Sequence, residues 1–235
     1  MAEAGAPRAV VTGSSSGIGL ALVRRLVAAG WEVTGLDRQP APDDVACRTI
    51  VLDLLDTSAL ATAAATLAAA RPTAFVHCAG IMRTGAITDI RDEDVDTLWR
   101  LHVGSAIALL RALAPALPER RGRVVLLSSR GALGRAERGL YAATKSALHG
   151  LARSVALELA PRGITVNVVA PAATDTPMLR DPSRGAPPAV SLPIGRLIEA
   201  DEVAYLVQTL LAEAAGAITG QTLYVCGGAS LVAPA

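Results

Sequence analysis

Aromatic side chains are nearly missing from this 235-residue chain. It has one Phe, two Trp and three Tyr, only 3% of residues, although 51% of the chain is hydrophobic. The apolar content is therefore alanine, leucine and valine, which suits helices packed tightly on a sheet. A charge of one sign is missing as well. Lys plus Arg number 22 against 21 Asp plus Glu, a net charge of +1, and the arginines are scattered, so no nucleic-acid partner is expected. The densest basic group, Arg120, Arg121 and Arg123, reads as a solvated turn before a strand. Cysteine is scarce. Cys47, Cys78 and Cys226 have no metal-ligand spacing and leave one thiol over in any disulfide scheme, which predicts no metal site and a reducing cytoplasm. No apolar signal core lies in Met1 to Pro7. The longest Ala/Leu run, Ala59 to Ala70, is too short to span a bilayer and is interrupted by Thr62 and Thr66, so a soluble cytoplasmic protein without a membrane partner is expected.

The chain shows no internal repeat and no linker, and its length fits one domain over residues 1–235. Short β-branched runs alternate with helical ones. Strands are predicted at Arg8–Thr12, Trp31–Leu36, Arg48–Leu52, Thr73–His77, Arg123–Leu127, Ile164–Val169 and Gln221–Val225. Helices are predicted at Gly17–Ala29, Thr57–Ala70, Asp92–Ala114, Gly139–Leu159 and Asp201–Ala214. Runs such as Val124-Val125-Leu126-Leu127 are continuously apolar, the mark of a sheet covered on both faces. The fold class is therefore α/β, a single-domain doubly wound parallel sheet with helices on both faces. Loops after the carboxyl ends of such strands build ligand sites, so the Pro/Gly/Ser-rich span 171–193 is expected to form a substrate lid.

Between the first strand and first helix runs Thr12-Gly13-Ser14-Ser15-Ser16-Gly17-Ile18-Gly19. Glycines there allow a tight turn and close approach of backbone to a pyrophosphate. The helix start supplies free N–H groups and a favourable dipole. Dinucleotide binding follows, with Gly13, Ser15, Ser16, Gly17, Ile18 and Gly19 around the phosphates. Asp37 ends the second strand, where its carboxylate would accept from both adenosine ribose hydroxyls and repel a 2′-phosphate. NAD is thus expected over NADP, with the neighbouring Arg38 as the counter-argument. Asp53 and Leu54 follow the third strand. Asp53 either meets the adenine edge or caps the next helix.

Tyr141-Ala142-Ala143-Thr144-Lys145 places a phenol and an ammonium one turn apart on one helical face. A free tyrosine, with a pKa of about 10, is a poor proton acceptor at neutral pH, and a nearby cation favours its phenolate. Ser128-Ser129 ends the fifth strand, where a hydroxyl is placed to bind a substrate oxygen. With these elements the chain resembles the short-chain dehydrogenase/reductase family over essentially its whole length. The resemblance adds Ala79-Gly80, Asn167, Pro171, Thr174 and Thr176. It implies a Rossmann-type sheet and hydride transfer between NAD(H) and a secondary alcohol or ketone. Tyr141 would be the acid/base, Lys145 would bind the nicotinamide ribose, and Thr176 would hold the carboxamide. Ser129 would orient substrate, although Ser128 has the family's usual spacing to the tyrosine.

The chain also departs from the family pattern. His77-Cys78 stand where asparagines usually precede Ala-Gly, and Ala172 follows Pro171 where the family has glycine. His102 stands where the family's relay asparagine is expected. It reads either as a member of a proton relay or as a helix-packed histidine. His149 reads as a surface or interface residue. Met82, Leu133 and Met178 are expected to wall an apolar substrate pocket suited to a cyclic alcohol or dihydrodiol, with Arg83 either holding a carboxylate or lying on the surface. A 3-oxoacyl thioester or a sugar is the alternative substrate. A catalytically impaired NAD-binding protein and an NAD-dependent epimerase or dehydratase are the rival classes. By the same resemblance a homotetramer or homodimer is expected.

Overall fold

The computed structural model describes residues 5–181 and 192–231. Strand β1 (Arg8–Thr12) leads into helix α1 (Gly17–Ala28), then β2 (Glu32–Asp37), β3 (Arg48–Val51), α2 (Thr57–Ala69) and β4 (Ala74–His77). Next come α3 (Asp92–Trp99), α4 (Ser105–Leu113), β5 (Arg123–Leu127) and α5 (Gly139–Leu159). The chain continues through β6 (Thr165–Pro171), β7 (Thr174–Asp175), α6 (Pro177–Arg180), β8 (Ile198–Glu199), α7 (Ala200–Leu211) and β9 (Thr222–Val225). Seven strands form one parallel sheet in the order β3-β2-β1-β4-β5-β6-β9. The order reverses direction between β1 and β4, the point at which such sheets open a crevice at their carboxyl edge.

Two cores flank this sheet, and alternate residues of each strand divide between them. Val10, Phe75, Val124, Leu126, Val166 and Val168 pack with α2, α4 and α5. Val11, Val76, Val125, Leu127 and Val169 pack with α1 and α7 on the opposite face. This explains the continuously apolar strands, since neither face meets water. Among the described residues, no helix is long and apolar enough to cross a membrane.

Several elements differ from the sequence reading. The span expected as one helix from Asp92 to Ala114 is interrupted by a wide π turn at Arg100–Gly104, which brings Leu101 and His102 inside together. π turns fit an extra residue into a helix and leave its backbone bonding looser. Strand β6 runs on through Pro171 because Ala170 and Pro171 still pair with Tyr224 and Val225 of β9. The 171–193 span begins with β7, which pairs with β8, and with helix α6; residues 182–191 of the expected lid lie outside the described residues. Arg123 is not part of a solvated turn. It is 2% exposed, and its guanidinium donates to the carbonyls of Arg120, Gly122, Ala212 and Glu213.

Phe75 is the chain's one phenylalanine and is fully buried in the middle of β4. We expect Phe75→Ala to lower the free energy of unfolding by about 3–5 kcal/mol in urea titration. A loss below about 1 kcal/mol would contradict this core assignment.

Candidate active site

The expected site residues follow the carboxyl ends of β1, β2, β3, β4, β5 and β6, or lie on the π turn before α4 and on α5 beside them. The glycine turn after β1 is shaped by what it excludes. Gly13 has φ +66°, and a Cβ there would stand 2.9 Å from the Ala79 Cα. A Cβ on Gly19 would overlap the Gly13 carbonyl, and Gly17, at φ +51°, would bring one within 3.3 Å of Thr176. Side chains at these positions would force apart β1, the Ala79 segment and the Thr176 loop. Ser16 caps α1 without a side-chain cap bond, so it does not occupy the helix's first N–H groups. The Asp37 carboxylate takes the Ser15 N–H at 2.9 Å and the Gln39 N–H at 3.3 Å. The Ser15 hydroxyl donates to the Gln39 carbonyl at 2.7 Å, so the turn and the end of β2 are one unit. Arg38 is exposed beside it, and Ile18 is half-buried against the second core. This narrow turn, a helix start and a fixed carboxylate fit a dinucleotide.

Other residues expected on the coenzyme have mixed surroundings. Asp53 does not cap α2. It accepts from the Leu55 N–H, while Asp56 caps the helix through the N–H groups of Ser58 and Ala59. The Leu54 side chain enters the core at 7% exposure. Thr174 is buried and donates to the Ala172 carbonyl, and Thr176 donates to the Thr174 carbonyl. Asn167 ties the sheet's edge by donating to the Ile218 carbonyl and accepting from the Gln221 N–H.

Helix α5 carries the reactive side chains on its buried face. Tyr141 and Lys145 are 6% and 4% exposed, and the ammonium lies 6.0 Å from the phenol ring centroid. Lys145 Nζ donates to the Leu127 carbonyl at 2.8 Å, which fixes the amine to the end of β5. Burial pulls its pKa down to about 8, against a smaller upward pull from Cys78. The two serines part company. Ser129 Oγ accepts from the Gly131 N–H at 3.0 Å. A Cβ built on Gly131 would stand 3.2 Å from that oxygen and 3.5 Å from Tyr141 Cε1, so Ser129 shares its surroundings with the phenol. Ser128 turns beneath α5, donating to the Lys145 carbonyl and accepting from the half-buried His149.

His102 is completely buried, and its ring meets Tyr141 edge-on at 5.8 Å between centroids. Nε2 accepts the Ile81 N–H at 3.1 Å, so the proton of the neutral ring belongs on Nδ1, which lies 2.9 Å from Thr144 Oγ1. Thr144 passes its own proton to the Tyr141 carbonyl at 3.0 Å. Both imidazole nitrogens are thereby committed to protein. Burial, then the Lys145 charge, then His77, pull the His102 pKa down to about 2. Gly80 marks the crossing point, since a Cβ there would stand 3.1 Å from His102 Nε2 and 3.3 Å from Lys145 Nζ. Thr144 escaped the sequence reading, though its place three residues after Tyr141 on the same helix is the available signal. Thr12 enters the sequence reading only as the start of the glycine loop; its hydroxyl accepts the Ala79 N–H at 3.1 Å.

The expected substrate wall is spread over three segments, with Met178 on α6. Met82 follows β4, while Leu133 and Met178, 53% and 39% exposed, follow β5 and β6. Arg83 lies 3.2 Å from Asp94, an ion pair at the surface.

Two buried histidines give the site a pH signature. Burial, together with Lys145, lowers His77 from 6.5 to about 3, so both rings stay neutral in the folded chain. As pH falls through 6.5 the unfolded chain takes up protons that the folded chain refuses. Stability is then lost with a slope that approaches about 1.4 kcal/mol per pH unit for each ring once the pH is well below 6.5. Urea unfolding between pH 7 and 5 should show this slope, flattened in a His77→Asn/His102→Asn double variant. Equal slopes in both proteins would contradict it.

A family described as enoyl-(acyl carrier protein) reductase matches residues 13–230. The chain is 34% identical to a 3-oxoacyl-(acyl-carrier-protein) reductase of Salmonella typhimurium, over 95% of this chain and 97% of that one. It is 33% identical to a 2,3-dihydro-2,3-dihydroxybenzoate dehydrogenase of Escherichia coli, over 94% and 96%. Among solved structures, a blue fluorescent protein from a metagenomic library, in complex with NADPH, superposes with a TM-score of 0.86. Identity is 31%, over 94% of this chain and 97% of that one. The chain belongs to the short-chain dehydrogenase/reductase family of Rossmann-fold oxidoreductases.

Proposed function

We propose that the protein is an NAD(H)-dependent dehydrogenase/reductase that interconverts a secondary alcohol and its ketone, with a cyclic alcohol or dihydrodiol as the favoured substrate class. The observation that carries this reading is the convergence of Tyr141, Lys145 and Ser129 at the sheet edge that also holds the glycine turn and Asp37.

Gly13, Ser15, Ser16, Gly17, Ile18 and Gly19 would hold the pyrophosphate, Asp37 the adenosine ribose, and Lys145 and Thr176 the nicotinamide half. When bound, the coenzyme supplies the acceptor or donor of hydride. The Ser129 hydroxyl orients the substrate oxygen, and Tyr141 takes the proton from it in oxidation or returns it in reduction. Lys145, held by the Leu127 carbonyl, keeps a positive charge beside the phenol and favours the phenolate. His102 acts as a neutral clamp that joins the Ile81 backbone to the catalytic helix, because neither of its nitrogens is left to carry a proton elsewhere. Asp37 supports NAD, since a 2′-phosphate would meet its carboxylate. The NADPH in the superposed blue fluorescent protein marks the alternative. The 2,3-dihydro-2,3-dihydroxybenzoate dehydrogenase supports the dihydrodiol reading. The 3-oxoacyl reductase supports thioesters as the competing class. Ile107 on α4 and Leu157 on α5, 44% and 78% exposed, suit a homotetramer or homodimer built through these helices.

Coenzyme reduction across secondary alcohols, dihydrodiols, sugars and hydroxyacyl thioesters, with NAD and NADP in parallel, tests the reading. We expect NADH from a cyclic alcohol or dihydrodiol, and a loss of about 100-fold or more in Tyr141→Phe. A preference for NADP overturns the role of Asp37. Undiminished turnover in Tyr141→Phe overturns the role of the phenol. NAD binding with no turnover on any substrate favours a coenzyme-binding protein without chemistry.

A further inference from the structure

The turn that carries Ser129 is held from two sides, and one of the residues that hold it has no part in the reaction proposed above. After β5 the chain enters a 3₁₀ turn at Arg130–Leu133 with Ser129 as its cap. Ser129 Oγ accepts the Gly131 N–H and the Ser129 carbonyl accepts the Ala132 N–H, both at 3.0 Å. On the α5 side the Ser146 hydroxyl donates to the Ala132 carbonyl at 2.9 Å. On the other side the half-buried Arg130 donates from Nε and from a terminal nitrogen to the Ala229 carbonyl, at 3.0 and 2.7 Å.

Ala229 belongs to a tight turn after β9. Gly227 and Gly228, at φ +52° and +85°, reverse the chain there, and the Ala229 N–H bonds the Cys226 carbonyl at 2.9 Å. The Gly227 carbonyl accepts the Ile194 N–H at 3.1 Å, and a Cβ on Gly228 would stand 3.2 Å from the Pro193 Cβ. Leu192, Cys226 and Ala229 are buried in the same core. The C-terminal turn and residues 192–194 are therefore one unit, and Arg130 joins that unit to the serine turn. A guanidinium that points two N–H groups at one carbonyl sets direction as well as distance, and its charge strengthens both bonds.

We propose that Arg130 is a positioning residue that latches the serine turn to the C-terminal turn and so holds the Ser129 hydroxyl where the substrate oxygen must lie. Its effect on turnover rests on the hydride-transfer reading, whereas its effect on the serine turn does not. The test accordingly has two arms.

In the first, amide hydrogen exchange of the coenzyme-free protein is followed by NMR in wild type, Arg130→Leu, Arg130→Lys and Gly228→Ala. We expect exchange about tenfold faster at Gly131 and Ala132 in Arg130→Leu, with Val125 in the middle of β5 unchanged. Arg130→Lys keeps a charged donor and should stay close to wild type. Gly228→Ala strains the C-terminal turn while leaving Arg130 in place. It should reproduce the change at Gly131 and serves if Arg130→Leu does not fold. In the second arm, kcat/KM for the alcohol should fall about tenfold in Arg130→Leu, with the coenzyme KM changed less than about twofold. Arg130→Lys should restore most of that loss. Unchanged exchange at Gly131 and Ala132 in folded Arg130→Leu or Gly228→Ala overturns the proposal. So does equal acceleration at Val125, which would mark general loosening, or equal damage in Arg130→Lys and Arg130→Leu. If neither wild type nor any variant transfers hydride, the proposed reaction fails while the exchange rates still decide the role of Arg130.

Discussion

The hydrogen-bond chain from the Ile81 N–H through His102 and Thr144 to the Tyr141 carbonyl is the constraint on which the site depends. It crosses from the loop after β4 to the π turn and on to helix α5, elements that no regular backbone bond would join. Each link satisfies a buried polar group, so losing any one leaves a donor or acceptor stranded at a cost of about 1–3 kcal/mol. Satisfied networks of this kind rigidify, whereas half-satisfied ones destabilise. Tyr141 is thereby fixed from its backbone, while its ring meets the His102 imidazole and the Lys145 ammonium.

The sheet supplies the frame for this chain. Strands β1, β4, β5 and β6 are in parallel register, so their carboxyl ends deliver the glycine turn, Ala79-Gly80, the serine pair and the Thr174–Thr176 segment to one edge. Close approach there is possible because the crossing points are glycines. Gly80 separates His102 from Lys145, Gly131 separates Ser129 from Tyr141, and Gly13 lies against Ala79. The same closeness makes the site costly to charge. Lys145 is a buried cation in a setting that keeps His77 and His102 neutral, and burial holds its own proton less firmly.

Much of this was legible in the sequence because it is written in local pattern. The strand at Arg8–Thr12 and the helix at Gly139–Leu159 have the bounds expected, since continuous apolar runs and helical periodicity are local properties. The Tyr141/Lys145 pair and the glycine turn were also visible, as residue types at fixed spacing. The partners were not. That His102 finds Ile81 and Thr144, or that Ser128 turns toward His149 while Ser129 keeps to the phenol, depends on contacts between segments far apart in the chain. The π turn left no mark in a periodicity that reads continuously from Asp92 to Ala114. Arg123 looked like a surface charge because a sequence does not show the backbone carbonyls gathered around it.

Two roles for His102 give different kinetics. A proton carrier contributes an ionisation to the rate, whereas a neutral clamp contributes only position. The most direct measurement is the pH dependence of kcat in His102→Asn beside wild type, since asparagine keeps one donor and one acceptor but cannot titrate. Superimposable profiles, differing only in height, are the expected result. A limb that shifts or disappears in the variant would contradict the clamp and return His102 to the proton path.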